Sequence, residues 1–223
     1  MSTPRSAPRD VGQTGRLLVA APMRIEAALI SSASTLMGAP LSAGRAGRRA
    51  VVRKTGMGPK RSKAAAGELT GAAADASAML VLGFCGGLDA SSVPGEVIVA
   101  EQVYAALDEG HAEERVRCEL YPQLVQQLTG RGLKVRTGEV VCVSRLALGE
   151  RRAELHAGGA IAVDMESVWL AAGAAERPFG VVRVVLDSPE HELLRVRAAA
   201  GALRAALALR RVAGALHEWS PAV

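Results

Sequence analysis

Residues 160–167 read Ala-Ile-Ala-Val-Asp-Met-Glu-Ser, and residues 178–192 read Pro-Phe-Gly-Val-Val-Arg-Val-Val-Leu-Asp-Ser-Pro-Glu-His-Glu, with an alanine-rich run between them. Ala160–Val163 and Gly180–Leu186 are short and almost continuously apolar, the pattern of strands buried on both faces. The run between them has helical composition. Strands alternating with helices in this way, here and along the rest of the chain, make the fold α/β with a mainly parallel, buried sheet. Each strand also leads into an acid. Glu166 stands where the first turns into a helix, and Asp187 where the second runs out into a loop. Ligands of open α/β sheets gather outside the carboxyl ends of the strands, so these two carboxylates are the first candidates for chemistry.

The same alternation runs upstream. Arg16–Ala21 reads as a fully buried first strand, ended by Pro22, with a helix beginning at Met23-Arg24-Ile25-Glu26. Arg24 and Glu26 therefore face the same sheet end, although each alone reads first as a solvated charge in an opening helical turn. Residues 38–50 suggest a loop or weak hairpin before a strand at Ala50–Thr55. Thr55-Gly56-Met57-Gly58-Pro59-Lys60 follows, then a helix to about Ala74. A glycine pair ahead of a helix N-terminus suits an anion cradle containing Gly58, and a tight packing turn explains it equally well. It lacks the Gly-Lys-Ser/Thr of a nucleotide P-loop.

A further buried strand, Ala78–Gly83, opens into Gly83-Phe84-Cys85-Gly86-Gly87-Leu88-Asp89, where the glycines imply positive φ or a close backbone approach. Val93–Ala100 gives a turn and a strand, residues 105–117 a polar excursion, and Tyr121–Thr129 a short amphipathic helix. Gly138–Val143 is a strand, followed by Ser144-Arg145-Leu146 and a charged helix near Glu150–His156. Leu193–Trp219 closes the chain as a long helix with Leu203, Leu207, Leu209, Val212 and Leu216 at spacings suited to packing on a sheet. Its arginines form a solvated face; a helix lying on a membrane surface is the sharper alternative.

The 223 residues suffice for one sizeable core. A flexible tail, 1–15, precedes a single α/β domain, 16–223, with a mainly parallel or mixed central sheet flanked by helices. Net charge is +5, but the arginines are scattered and no aromatic-interleaved basic patch argues for nucleic acid. Loose contact with anionic lipid is the alternative use of that charge. Cys85, Cys118 and Cys142 are odd in number and lack metal-ligand spacing, which points to a reducing cytoplasm. No signal-peptide core and no run of about 20 apolar residues is present. The expected location is cytoplasmic, with peripheral contact at the inner membrane face as an option.

Four ordered pieces carry a resemblance to a known family. They are Ala21-Pro22-Met23-Arg24-Ile25-Glu26; Thr55-Gly56-Met57-Gly58-Pro59; Gly83-Phe84-Cys85-Gly86-Gly87-Leu88 with Pro94-Gly95-Glu96-Val97-Ile98-Val99-Ala100; and Val163-Asp164-Met165-Glu166-Ser167 with Arg183-Val184-Val185-Leu186-Asp187. Together they make residues 16–216 resemble the nucleoside phosphorylases and nucleosidases, including the methylthioadenosine/S-adenosylhomocysteine nucleosidases. The Val-Asp-Met-Glu-Ser form looks closest to the hopanoid-associated branch, linked to removing adenine from adenosylhopane.

The resemblance implies cleavage of a purine N-glycosidic bond. Asp187, desolvated at the end of an apolar strand, would be the general acid to the purine. Glu166 would hold the ribose hydroxyls with Met165 under the sugar, and Glu26 would orient an attacking water. Gly86 and Phe84 would border the substrate, and Leu146 takes the place of an aromatic that stacks on the base. Arg24 lies where the phosphorylases carry a phosphate-binding arginine, so Arg24 and Gly58 argue for phosphate as co-substrate and Glu26 for water. No metal or other cofactor is implied. Leu186 replaces the family's usual serine before the acid, and Phe84 a usual serine after the first glycine. Methylthioadenosine, S-adenosylhomocysteine or futalosine cleavage, and a non-catalytic nucleoside-binding homologue, are the alternatives. The resemblance further implies a homodimer or higher homo-oligomer and a small-molecule substrate with an apolar tail.

Overall fold

Alternation along the strands decides which helices cover which face of the sheet. In β1 (Arg16–Ala21), Leu17, Val19 and Ala21 face one apolar layer and Leu18 and Ala20 the other. In β3 (Ala76–Gly87), Leu80, Leu82 and Phe84 join the first layer, and Met79, Val81 and Cys85 the second. Helices α1 (Arg24–Leu36), α3 (Tyr121–Gly130) and α6 (Ala198–His217) cover the first face. On the second lie α2 (Pro59–Gly71) and the short α5 (Ser167–Ala171). A computed structural model describes residues 16–36, 50–73, 75–106, 115–190, 198–217 and 219. The tail at 1–15, most of the 38–50 loop and the 105–117 excursion, His191 and the first residues of the last helix lie outside them.

The remaining strands are β2 (Ala50–Lys54), β4 (Val97–Ala105), β5 (Val116–Arg117), β6 (Val135–Cys142), β7 (Ala160–Asp164) and β8 (Phe179–Asp187); helix α4 is Glu150–Ala157. Among the described residues the eight strands form one mixed sheet flanked by six helices. Its path is β2-β1-β3-β7-β6-β4-β5, and β8 pairs with both β3 and β4. These pairings close a ring through β3, β8, β4, β6 and β7. The β3–β8, β4–β6 and β6–β7 pairs are parallel, while β3–β7 and β4–β8 are antiparallel.

Three expectations change. The alanine-rich helix after Glu166 is only α5 and one 3-10 turn at Ala172–Ala174. A Cβ on Gly173 would lie 3.0 Å from the Leu69 side chain, so this segment must press closely on α2. In α6, Leu209, Val212 and Leu216 are buried as expected, but Leu203 and Leu207 are exposed; Ala205 and Ala213 complete the packed stripe. The strand leading to Asp187 is not all apolar, because Arg183 sits in its middle with no exposed surface.

Candidate active site

The site is built where β3 ends in glycine. Gly83 lies beside Arg183 and Gly86 beside Asp187 in the parallel β3–β8 pair, while Gly86 and Gly87 pair antiparallel with Val163 and Ala162 of β7. One strand end thus separates the strand leading to Glu166 from the strand ending at Asp187. Gly83, Gly86 and Gly87 do not adopt positive φ, so close approach is the reason for them. A Cβ on Gly83 would sit 2.4 Å from Glu26 Oε1 and 2.9 Å from Arg183 Nη1. A Cβ on Gly86 would meet Arg152 Nη2 at 3.2 Å and Asp187 Oδ1 at 3.4 Å.

Glu26 enters from the first turn of α1 and is 1% exposed. Its Oε1 accepts the Phe84 N–H and its Oε2 the Met23 N–H, both at 2.6 Å. Burial raises its pKa despite the opposing Arg183 charge and the two N–H donors. Phe84 contributes its backbone here: its N–H holds Glu26, its carbonyl accepts from Arg183 at 3.3 Å, and its ring packs in the first-face core.

Glu166 precedes α5, and its Oε1 accepts the Gly58 N–H at 3.1 Å across the molecule. Gly58 has φ of +83°, opening the turn into α2 as an L side chain rarely can. The anion cradled by that turn is the protein's own Glu166 carboxylate. Burial pushes the Glu166 pKa up to about 7; Arg183 pulls it down, and the charge of Asp164 raises it further. Arg183 lies 3.5 Å from Glu166 Oε2 and 2.7 Å from Asp164 Oδ2, and donates to Ser167 Oγ. Asp164 also accepts from the Glu166 and Ser167 N–H groups and from the Cys142 thiol. Burial alone would raise its pKa, but Arg183 and these donors hold it below the usual carboxylate range. A buried cation with three acids around it is the electrostatic centre of this half of the site.

Asp187, the last residue of β8, is buried on the other side of the glycine strand end. Its Oδ2 accepts from Arg152 Nη2 at 2.5 Å. Arg152 comes from α4 and is 2% exposed. The expectation that an apolar strand end alone surrounds Asp187 is therefore corrected: its nearest polar partner is a cation. Asp187, Arg152, Gly86, Val143, Leu146, Ala147, Val163, Asp164 and Met165 line a small cavity of about 40 Å³. Met165 and Leu146 thus reach the same space as Asp187, with Leu146 63% exposed at its mouth. Arg24 is exposed and takes part in none of the described hydrogen bonds or ion pairs that join these acids.

Arg152, Arg183 and Asp164 do not announce themselves as site residues in the sequence. Arg152 lies in a charged helical run that reads as solvated, and Arg183 in an otherwise apolar strand. The usable signal was Arg183 itself: a charge inside a strand buried on both faces must have acids to meet it.

Fold and site define the class of protein: an α/β enzyme with buried acids gathered at the ends of its strands. More particularly, the chain belongs to the phosphorylase superfamily, whose family model matches residues 16–214. Its fold is similar to that of a 5′-methylthioadenosine/S-adenosylhomocysteine nucleosidase from Neisseria meningitidis, at 21% identity over 92% of this chain and 100% of that one, with a TM-score of 0.70. The Campylobacter jejuni nucleosidase of the same description gives 16% identity over 92% and 100%, with a TM-score of 0.71. Futalosine hydrolase of Helicobacter pylori gives 17% identity over 91% and 96%, with a TM-score of 0.69. No curated protein sequence matches the chain. Among the described residues no helix is long and apolar enough to cross a membrane.

Proposed function

We propose that the protein hydrolyses the N-glycosidic bond of a purine nucleoside carrying an apolar 5′ substituent, with adenosylhopane as substrate and adenine as the released base. The observation that carries this is the placing of three buried acids, Glu26, Glu166 and Asp187, around the glycine end of β3. Their surroundings suit three tasks. Glu166, when ionised, accepts the ribose hydroxyls in charge-assisted hydrogen bonds. Asp187 lies in the cavity where the base would be read and delivers its proton to N7 as the C1′–N9 bond breaks. Glu26, with its pKa raised by burial, takes the proton from the water whose oxygen bonds to C1′.

Water is favoured over phosphate by the charges around Glu26. Arg183 is already paired with Asp164 and Glu166, and Arg152 with Asp187. The Gly58 N–H is taken by Glu166, and Arg24 is exposed. The apolar 5′ group is supported by large hydrophobic side chains close in sequence to site residues: Ile25, Met57, Leu146 and Leu148 are 58%, 48%, 63% and 45% exposed. Methylthioadenosine, S-adenosylhomocysteine and futalosine are the competing substrates. Self-association and contact with anionic membrane belong to the same proposal, to be tested by light scattering and vesicle sedimentation.

The test is base release from adenosylhopane and the competing nucleosides, with and without phosphate. Adenine and free sugar in phosphate-free buffer are expected. A sugar 1-phosphate formed only with phosphate present means phosphorolysis, and no base release by folded protein under either condition overturns the reading in favour of a binding homologue.

A further inference from the structure

Among the described residues, Asp187 is the only one of the three acids whose polar partner is a single side chain, and that side chain pairs with no other carboxylate. Arg152 is fixed at all three guanidinium nitrogens: Nε donates to Ala147 O at 2.9 Å, Nη1 to Gly87 O at 3.4 Å, and Nη2 to Asp187 Oδ2 at 2.5 Å. The three acceptors belong to the loop before α4, the end of β3 and the end of β8. One buried side chain thereby ties together three walls of the cavity. A guanidinium this deeply buried gives up its hydration, and these three acceptors replace it.

From this geometry we infer that Arg152 is a positioning residue for the proton donor. It acts through Asp187, resting on the functional reading above. By holding Oδ2 it fixes the carboxyl plane and leaves Oδ1, which lies over Gly86, as the oxygen presented to the cavity. Leu186, immediately before Asp187, has no polar group with which to do this, and the planar fork of arginine supplies the orientation from another element. Arg152 has a second effect through its charge. When the purine leaves, the proton on Asp187 passes to N7, the electron pair of the C1′–N9 bond goes to the base, and a carboxylate remains in a buried site. A fixed cation beside Oδ2 faces the negative charge that the carboxyl group then carries.

The discriminating experiment pairs two leaving groups. A purine needs a proton to depart, whereas nitrophenolate leaves without one. Steady-state rates are compared for a purine nucleoside and for 4-nitrophenyl riboside in wild type, Arg152→Gln, Arg152→Lys, Asp187→Asn and the Arg152→Gln/Asp187→Asn double variant. Arg152→Gln is expected to lower kcat on the purine nucleoside roughly tenfold or more, with KM little changed and nitrophenyl riboside cleavage within about threefold of wild type. In the Asp187→Asn background the same substitution is expected to cost nothing further, the signature of two residues acting as a unit. Arg152→Lys, which keeps the charge and loses the fork, recovers part of the loss.

Equal losses on both leaving groups, or losses that multiply in the double variant, overturn the inference, because a purely structural arginine behaves that way. If Arg152→Gln does not fold, Arg152→Lys carries the same comparison. If neither folds, Arg152 serves the fold and the inference fails. Wild type that cleaves neither substrate refutes the functional reading instead, a result distinct from a wild type that cleaves both and variants that ignore the leaving group.

Discussion

Glu26, Glu166 and Asp187 are all carboxylates, yet each meets different neighbours, and those neighbours separate their tasks. In the proposed reaction Asp187, whose described polar partner is the Arg152 cation, gives the proton to the base. Asp187→Asn keeps the shape and one acceptor oxygen for Arg152 but has no proton to donate as an acid. It is expected to lower purine release roughly 10²- to 10⁴-fold with a melting temperature close to wild type, checked by adenine release and thermal unfolding. Glu166 yields a prediction about pH. Burial pushes its pKa up to about 7 in the fold, against about 4.3 in an unfolded chain. The folded state therefore holds this proton more tightly than the unfolded one, so the contribution to stability is full below the unfolded value and is lost as pH rises toward and through about 7. Glu166→Gln removes that dependence. Its melting temperature is expected to exceed wild type at pH 8 and the gap to close by pH 5; a gap that widens at low pH shows that Glu166 is held charged in the fold.

At the scale of elements, the glycine end of β3 does more than any single side chain, because it lets β1–α1, β7 and β8 deliver their acids to one place. Gly83→Ala is expected to abolish most activity, since its Cβ would lie 2.4 Å from Glu26 Oε1. Gly67, exposed within α2 with open space around its Cβ direction, is the control: Gly67→Ala should raise stability by about 0.5–1 kcal/mol and leave kcat unchanged. Denaturant unfolding and steady-state rates check both. The elements themselves were largely legible in the sequence, because continuous apolar runs and glycine-bounded turns are local signals. β3 was legible only as far as Gly83, since Phe84–Gly87 looks like a loop until β7 and β8 are seen pairing with it. The three acids could be placed at strand ends from local pattern alone. Arg152 and Arg183 could not be assigned, because their meaning lies in partners 35 and 19 residues away: Asp187 for the first, and Asp164 for the second.

At the scale of the whole molecule, the closed ring of β3, β8, β4, β6 and β7 holds the buried acids, while the segments that leave the sheet beside them carry exposed hydrophobic side chains. Ile25 follows β1, Met57 follows β2, and Leu146 and Leu148 follow β6. Exposed hydrophobic side chains on segments that leave the sheet where its acids gather are available to cover an apolar ligand. If they cover the substrate's 5′ chain, each methylene it buries contributes up to about 0.8 kcal/mol, less where the rim leaves it half exposed. The enzyme is then expected to cleave a 5′-octylthio nucleoside with a higher kcat/KM than its 5′-methylthio counterpart. In a Met57→Ser/Leu148→Ser variant the advantage of the longer chain should fall roughly tenfold, while the methylthio substrate is cleaved at nearly the wild-type rate. The ratio of the two kcat/KM values is the measurement that decides. A parallel fall for both substrates assigns these side chains to the fold or to contact with a second copy, and an unchanged ratio places the apolar chain of the substrate elsewhere on the molecule.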